Sequence, residues 1–422
     1  MCIRSYKMRE IALAHKAERD KLSNGVYVPR EGLSSARQNM ENDLIKVIIG
    51  PRRAGKSVFA MQLLKGIDFA YLNFDDERLL DVTDYDDFIK AIRQVYGETN
   101  YLLFDEIQNL KDWELFLNRL QRNGFRIVIT GSNAHLLSRE LSTHLTGRFL
   151  QFQILPFSFK EFLHAKSFQI DDTLELKERQ GSLLGYLDKY INIGGFPEVV
   201  TKHVEPRSYL PTLFESILFK DIAKRYNVRY SKKLYDLGYY LITNHSCEFT
   251  YTRLKKILDF RSVHTVENYV KYISEAFIVF VVDRFSFKLA EQIKSPKKVY
   301  SYDTGMAKSV RFAVTPYTGK FIENIVAIEL LRRDIEPYFY RTRNGKEIDF
   351  VIKKGSDINQ LIQVSYDISE YATKKRELNA LVKAGQELRC DNLTVITWDH
   401  CGEDLVDEQK VSFLPLWRWL LG

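Results

Sequence analysis

From Leu44 onward the apolar residues fall into two alternating patterns. Short solid runs, "LIKVIIG" (44–50), "DFAYLNF" (68–74), "NYLLFDEIQ" (100–108) and "FRIVITGSN" (125–133), are one kind. Between them, "KSVFAMQLLKGI" (56–67), "YDDFIKAIRQVYG" (85–97) and "DWELFLNRLQRNG" (112–124) repeat apolar residues every three or four positions. Solid runs of this length read as strands buried on both faces, and the second pattern reads as helices with one apolar side. Their alternation predicts an α/β unit, a parallel sheet covered by helices, over 41–156. Before it, 7–22 reads as a polar helix and "LSNGVYVPREGLSS" (22–35) as loop, giving an N-terminal helix-and-loop segment over 1–40.

The pattern changes after Pro156. Residues 157–228 read as a mostly helical lid or linker, broken by the turn in "NIGGFPEVV" (192–200). Within 229–315, "FTYTRLKKILD" and "VHTVENYVKYISEAF" are helices, and "IVFVVDRFSFK" (278–288) reads as a strand pair. Helix, turn, helix and hairpin together predict a winged-helix-like unit. Residues 316–422 open with the helix "GKFIENIVAIELLRR" and continue with strands at "PYFYR", "EIDFVI", "LIQVSYD" and "LTVITW", with "RNGK" as a hairpin turn. A helix near 370–385 completes a second α/β unit.

Composition narrows the class. The 422 residues are 45% hydrophobic and 28% charged, ample for several cores. The longest apolar runs, such as "AFIVFVV" (276–282), are too short to span a bilayer. Cys2, Cys247, Cys390 and Cys401 form no CxxC pair and have no histidine cluster beside them. That argues against a zinc or disulfide framework and fits a reducing cytoplasm. The formal charge of +7 is concentrated in 229–298, which holds 13 Lys or Arg against 7 Asp or Glu.

The chemistry begins where the first solid run ends. Gly50-Pro51-Arg52-Arg53-Ala54-Gly55-Lys56-Ser57 fits GxxxxGK[ST] between a strand and a helix. Two glycines let the backbone curl its N–H groups inward around phosphates, and the helix adds its positive end. Lys56 reaches the β- and γ-phosphates and the Ser57 hydroxyl ligates Mg²⁺. At the end of a neighbouring strand, Asp105 is placed to hold the ion through water and Glu106 to polarise an attacking water. Ser132 or Asn133, ending the next strand, is positioned to touch the γ-phosphate or that water. Arg148 is a candidate to act on the γ-phosphate of a neighbouring subunit, which would require a homo-oligomer.

These motifs, with "YLNFDDE", "LTGRF", "LPFSFKEFL", "GGFPEVV", "FKDIAKRY", "YDTGMA", "ENIVAIELLRR" and "NGKEIDFVI" in order, make the chain resemble a known family. It is similar to the bacterial and archaeal AAA+-type ATPases with a conserved C-terminal domain of unassigned role. The likeness spans about residues 40–400. It implies an ATP-binding P-loop domain, a helical lid, a winged-helix-like part and a restriction-endonuclease-like C-terminus, hence an ATPase using ATP and Mg²⁺.

A nuclease of that C-terminal kind needs metal-binding acids and a lysine. Glu323, Glu347, Asp349 and Gln363 supply the first requirement, but Ser365 stands where the pattern expects lysine. Lys346 or Lys374 is a substitute reaching in from elsewhere. Possible DNA contacts gather on the basic unit: Lys255, Lys256, Arg261, His264, Asn268 and Lys271, with Arg284 and Lys288 on the backbone side. A protein partner is the other use of such a unit. The expectation is an ATPase whose nucleotide state is coupled to DNA or a partner. A nucleotide-switched scaffold with negligible turnover and an ATP-controlled nuclease are the alternatives.

Overall fold

A computed structural model of the chain describes residues 2–79, 82, 84–132, 147–311, 318–366, 368 and 371–422. It divides into two compact units, one of Met1–Pro156 with Glu275–Phe277, the other of Phe157–Ser274 and Ile278–Gly422.

In the first unit, strands β1 (Ile45–Ile49), β2 (Phe69–Asn73), β3 (Tyr101–Asp105), β4 (Arg126–Gly131) and β5 (Phe149–Gln153) form one parallel sheet in the order β2-β3-β4-β1-β5. Every residue of β1 is buried, as a strand covered by helices on both faces requires, and the one polar residue, Lys46, turns its ammonium to Asn42 O and Leu44 O. Alongside the sheet run α1 (Cys2–Ser23), α2 (Leu33–Gln38), α3 (Lys56–Leu63), α4 (Asp86–Tyr96) and α5 (Trp113–Arg122). Residues 1–40, read from the sequence as a separate segment, belong to this same compact unit. Helix α1 buries Met8, Ile11, Ala12 and His15, and its polar residues bond to β2. The apparently polar helix is therefore docked. The chain leaves β1 for the far edge of the sheet and then returns through β3 and β4. The ends of β3, β4 and β1 consequently lie side by side on one rim, the position where open α/β sheets bind ligands.

The second unit starts with helices α6 (Phe159–Ala165), α7 (Lys177–Ile193), α8 (Pro197–Lys202) and α9 (Pro206–Ser216), which runs into a π-helical turn at Ile217–Ala223. The "GGFP" turn is an interlock. The Asp303 carboxylate accepts hydrogen bonds from Gly195 N and Met306 N, both at 2.7 Å. A Cβ at Gly195 would lie 2.3 Å from Phe157 O, so only glycine fits.

Next come α10 (Ser231–Thr243), β6 (Cys247–Phe249), α11 (Tyr251–Ile257), α12 (Val263–Glu275), β7 (Val279–Asp283), α13 (Leu289–Lys294) and β8 (Lys297–Ser301). The three strands pair antiparallel in the order β6-β8-β7. The expected strand pair within 278–288 does not form, because β7 ends at Asp283 and its partner is β8. Phe285 explains the break: it is buried against Tyr338 and Tyr340, and its N–H donates to Phe339 O at 2.7 Å.

After α14 (Thr304–Val310) and α15 (Thr318–Arg332), the last sheet contains β9 (Pro337–Arg341), β10 (Glu347–Lys354), β11 (Asp357–Ser365), β12 (Leu393–Thr397), β13 (Gly402–Val406) and β14 (Gln409–Pro415). Its order is β13-β14-β12-β11-β10-β9, parallel through β11, β12 and β14 and antiparallel elsewhere. Helix α16 (Tyr371–Leu388) covers it with Leu381, Val382 and Leu388, and α17 (Leu416–Leu421) buries Leu416, Trp417 and Trp419. Among the described residues, no helix is long and apolar enough to cross a membrane.

Candidate active site

The loop after β1 turns back beneath α3. Gly50 has φ +152°, and a Cβ there would sit 1.9 Å from Ile154 O, so the loop passes the chain just beyond β5 with no room for a side chain. Gly55, at φ +91°, is the residue from which α3 starts. Arg53 also holds a left-handed φ of +67°, and it is exposed beside the half-buried Arg52, while Pro51 and Ala54 are buried. The Lys56 side chain is only 5% exposed. Its Nζ donates to Pro51 O at 3.1 Å and lies 3.8 Å from Glu106 Oε1. The ammonium thus already lies over the loop, among groups that bind it weakly.

Asp105 ends β3 on the same rim and is buried. Its carboxylate accepts from the hydroxyls of Thr130, Ser57 and Tyr71, the last at 3.2 Å. Burial pushes its pKa up, as does the Glu106 charge beside it, while Thr130, Ser57 and Lys56 pull it back. Ser57 and Asp105 bring two hard oxygen donors into contact, a donor set suited to Mg²⁺.

Glu106 adopts φ +50° and ψ +43°. A glutamate rarely accepts this left-handed conformation, which costs of order 1–3 kcal/mol and clusters at functional positions. Two bonds hold it: Glu106 N donates to Thr130 Oγ1 at 3.1 Å, and the Gln108 amide donates to its carboxylate. The side chain is about a quarter exposed and turned toward Lys56.

Gly50, Lys56, Ser57, Asp105 and Glu106 therefore converge on one rim. Ser132 is buried at the end of β4, and Asn133 lies outside the described residues. Arg148 does not join them. Its carbonyl accepts from Ile45 N at 2.9 Å, at the opposite end of β1, and its side chain lies 3.4 Å from Asn118 Oδ1. Five strand residues separate it from the loop, roughly 15 Å.

Two partners of the site are missing from the motif. Thr130 joins Asp105 to Glu106, and only its place on the strand between β3 and β1 reveals it. Arg30 is buried and donates to Ala54 O at 2.9 Å and Leu155 O at 2.6 Å, tying the loop to the chain after β5. It lies in a stretch that reads as irregular loop, so no sequence periodicity marks it.

In the second unit, Glu323 (on α15), Glu347 and Asp349 (on β10) do come together, but around Lys298 of β8. Its Nζ lies 2.7 Å from Glu323, 2.6 Å from Glu347 and 3.3 Å from Asp349. Burial draws Lys298 down, and the three carboxylates outweigh that and keep it charged. Tyr300 donates to Glu323 at 2.7 Å. Gln363 instead accepts from Asp349 N at 3.3 Å and donates to Glu377 at 2.9 Å. The expected substitute Lys374 pairs with Asp404 at 2.7 Å. The ammonium among these acids is thus neither Lys374 nor the residue at 365 but Lys298, which precedes the acids in sequence by 25 residues or more. Among the described residues, no group of three or more His, Cys, Asp or Glu is arranged to hold a metal ion.

On α12, Val266, Tyr269, Val270 and Ile273 face inward. His264 and Lys271 are exposed and Asn268 is half-buried, its amide 3.4 Å from His264 Nε2. Lys256 and Arg261 are exposed and Lys255 is half-buried. Of the two backbone-side cations, Lys288 pairs with Glu291 at 3.3 Å and Arg284 lies 3.5 Å from Arg341 O.

Comparison with known proteins places these parts. Residues 42–163 match an AAA domain, 184–315 the domain of unknown function DUF8612, and 318–419 the domain of unknown function DUF4143. The uncharacterized protein MJ1544 of Methanocaldococcus jannaschii is 35% identical over 397 residues, covering 89% of this chain and 88% of its own. An uncharacterized protein of Haemophilus influenzae is 35% identical over 352 residues, 79% of this chain and 85% of its own. Among solved structures, the Walker-type ATPase PABY2304 of Pyrococcus abyssi aligns with a TM-score of 0.46 at 12% identity, over 68% of this chain and 96% of that one.

Proposed function

Since this chain belongs to the family of the uncharacterized protein MJ1544 of Methanocaldococcus jannaschii and its residues 42–163 match an AAA domain, we propose that it binds ATP and hydrolyses it to ADP and phosphate. The observation that carries the reading is the convergence of Lys56, Ser57, Asp105 and a conformationally strained Glu106 on one rim of a parallel sheet. The loop amides and Lys56 cradle the phosphates. Ser57 and Asp105 hold Mg²⁺, which when bound draws negative charge from the β- and γ-phosphates. Glu106 accepts a proton from the attacking water, and its left-handed backbone, fixed by Thr130, aims it there. Lys56 then exchanges its weak contact with Pro51 O for the phosphates. Glu106→Gln keeps nucleotide binding and abolishes steady-state phosphate release. Wild-type turnover in that variant refutes the assignment of the base.

The helix pair α11 and α12 and the three-stranded antiparallel sheet of 231–301, with α13 set between β7 and β8, support the winged-helix reading, and the unit's exposed cations support contact with DNA. Nucleotide state then governs how this unit meets DNA or a partner. Arg148, remote from its own loop, fits a role in a neighbouring copy of a homo-oligomer. The buried Lys298 favours a structural ion cluster in the C-terminal unit over a cutting site, because a metal would have to displace an ammonium held by three carboxylates. Phosphate release with and without double-stranded DNA tests the coupling, and equal rates count against it.

A further inference from the structure

The Asp105 carboxylate has a third neighbour that phosphate binding does not require. Tyr71 stands on β2, fully buried, and its hydroxyl lies 3.2 Å from Asp105 Oδ2 and 3.3 Å from Glu18 Oε1. Glu18 comes from α1. The Asn73 amide also reaches Glu18 Oε1, at 3.4 Å.

The same face of α1 grips β2 at two more points. His15 Nδ1 accepts from Asn73 N at 3.3 Å, so its Nε2 carries the hydrogen that faces Asp76 at 3.1 Å. Arg19 Nη1 donates to Phe69 O at 2.6 Å. Positions 15, 18 and 19 share one face of a helix. The helix is thereby held by polar contacts to the strand neighbouring β3, and one of those contacts leads to Asp105.

We infer that Tyr71 and Glu18 are positioning residues for Asp105, through which the amino-terminal helix sets the magnesium affinity of the nucleotide site. The inference rests on the ATP and magnesium reading above. A phenol has one hydrogen and here faces two carboxylates. Donated to Asp105, it fixes Oδ2 while Thr130 fixes Oδ1, leaving the lone pairs near Ser57 for water on the metal. Glu18, itself held by the Asn73 amide, is the competing acceptor: a hydrogen turned to Glu18 leaves Asp105 Oδ2 facing a phenol lone pair. Moving α1 takes that competitor away and leaves the hydrogen to Asp105.

The test uses the full chain and a fluorescent non-hydrolysable ATP analogue, titrated with magnesium and with EDTA. Tyr71→Phe lowers the magnesium-dependent gain in affinity about tenfold, the effect of one hydrogen bond to a carboxylate, and leaves the EDTA affinity within about twofold. Glu18→Ala, which removes the competing acceptor, raises the gain, and Glu18→Gln, whose amide oxygen still accepts, holds it near the wild-type value. The double variant Glu18→Ala/Tyr71→Phe is no worse than Tyr71→Phe. A merely structural role lowers both affinities together, which overturns the inference, as does an unchanged magnesium gain in either Tyr71→Phe or Glu18→Ala. Glu18 is only half-buried, so its variants decide the matter should Tyr71→Phe fail to fold. A wild-type protein with no affinity for the analogue refutes the underlying ATP reading instead.

Discussion

Replacing Thr130 by valine removes one hydroxyl and almost no volume from a fully buried position. That hydroxyl donates to Asp105 and accepts from Glu106 N. The first bond engages a charged group, about 1.5–3 kcal/mol, and the second is neutral, about 1 kcal/mol, so the pair contributes about 2.5–4 kcal/mol. Valine also leaves the Glu106 N–H without its acceptor just where the backbone is held left-handed. Part of the loss appears as lower stability of the nucleotide-free protein. If about 1.4 kcal/mol of it falls on the transition state, phosphate release slows about tenfold. The assay is steady-state phosphate release with magnesium, beside analogue binding in EDTA and a urea unfolding curve. Turnover falls, EDTA affinity holds, and Thr130→Ser, which keeps the hydroxyl, recovers most of the rate. A folded Thr130→Val protein with wild-type turnover refutes the claim that Thr130 aligns the two acids.

Other variants probe the remaining parts. Lys298→Met takes away the cation that Glu323, Glu347 and Asp349 share, leaving Glu347 its pairing with Arg341 at 2.9 Å, and lowers stability by about 3–5 kcal/mol. Urea unfolding reads this, and wild-type stability would show that the acids are held by something else. His245 is 2% exposed, its ring tilted 50° against Phe321 with the centroids 4.5 Å apart, and its Nδ1 has no hydrogen-bond partner among the described residues. Burial, then Lys320 and Arg311, push its pKa down to about 3 from an ordinary 6.5. The unfolded chain therefore takes up the proton first. Stability is fully present above the ordinary value and falls with pH below it, by about 2–3 kcal/mol at about pH 4.5. His245→Leu flattens that limb of the unfolding free energy against pH, and an unaltered acid limb would contradict the burial argument.

The order of elements in the first unit was legible because β1, β2, β3 and β4 are solid apolar runs, and such runs have few structural alternatives. Gly50, Lys56, Ser57, Asp105 and Glu106 were legible because phosphate and metal chemistry fixes residue types at fixed offsets. Thr130 and Tyr71 were not, since each acts from a neighbouring strand and looks like an ordinary β-former. Arg30 was hidden in a stretch of turn residues. Helix α1 looked like a free polar helix because its apolar stripe is short, Met8, Ile11 and Ala12, and its docking face continues through the polar His15, Glu18 and Arg19. In the second unit the acids were found and their cation was missed. Local spacing points to residue 365 and its surroundings, whereas Lys298 arrives from a different sheet. The strand pair expected within 278–288 failed for a similar reason: Phe285 is recruited into the core of the following sheet.

Calorimetric titration of a non-hydrolysable ATP analogue into the full chain, with magnesium, tests the central claim most directly. The account predicts saturable binding to the wild type, no detectable binding to Lys56→Ala, and wild-type binding to Glu106→Gln. Equal affinity in wild type and Lys56→Ala, or no heat with either, contradicts it.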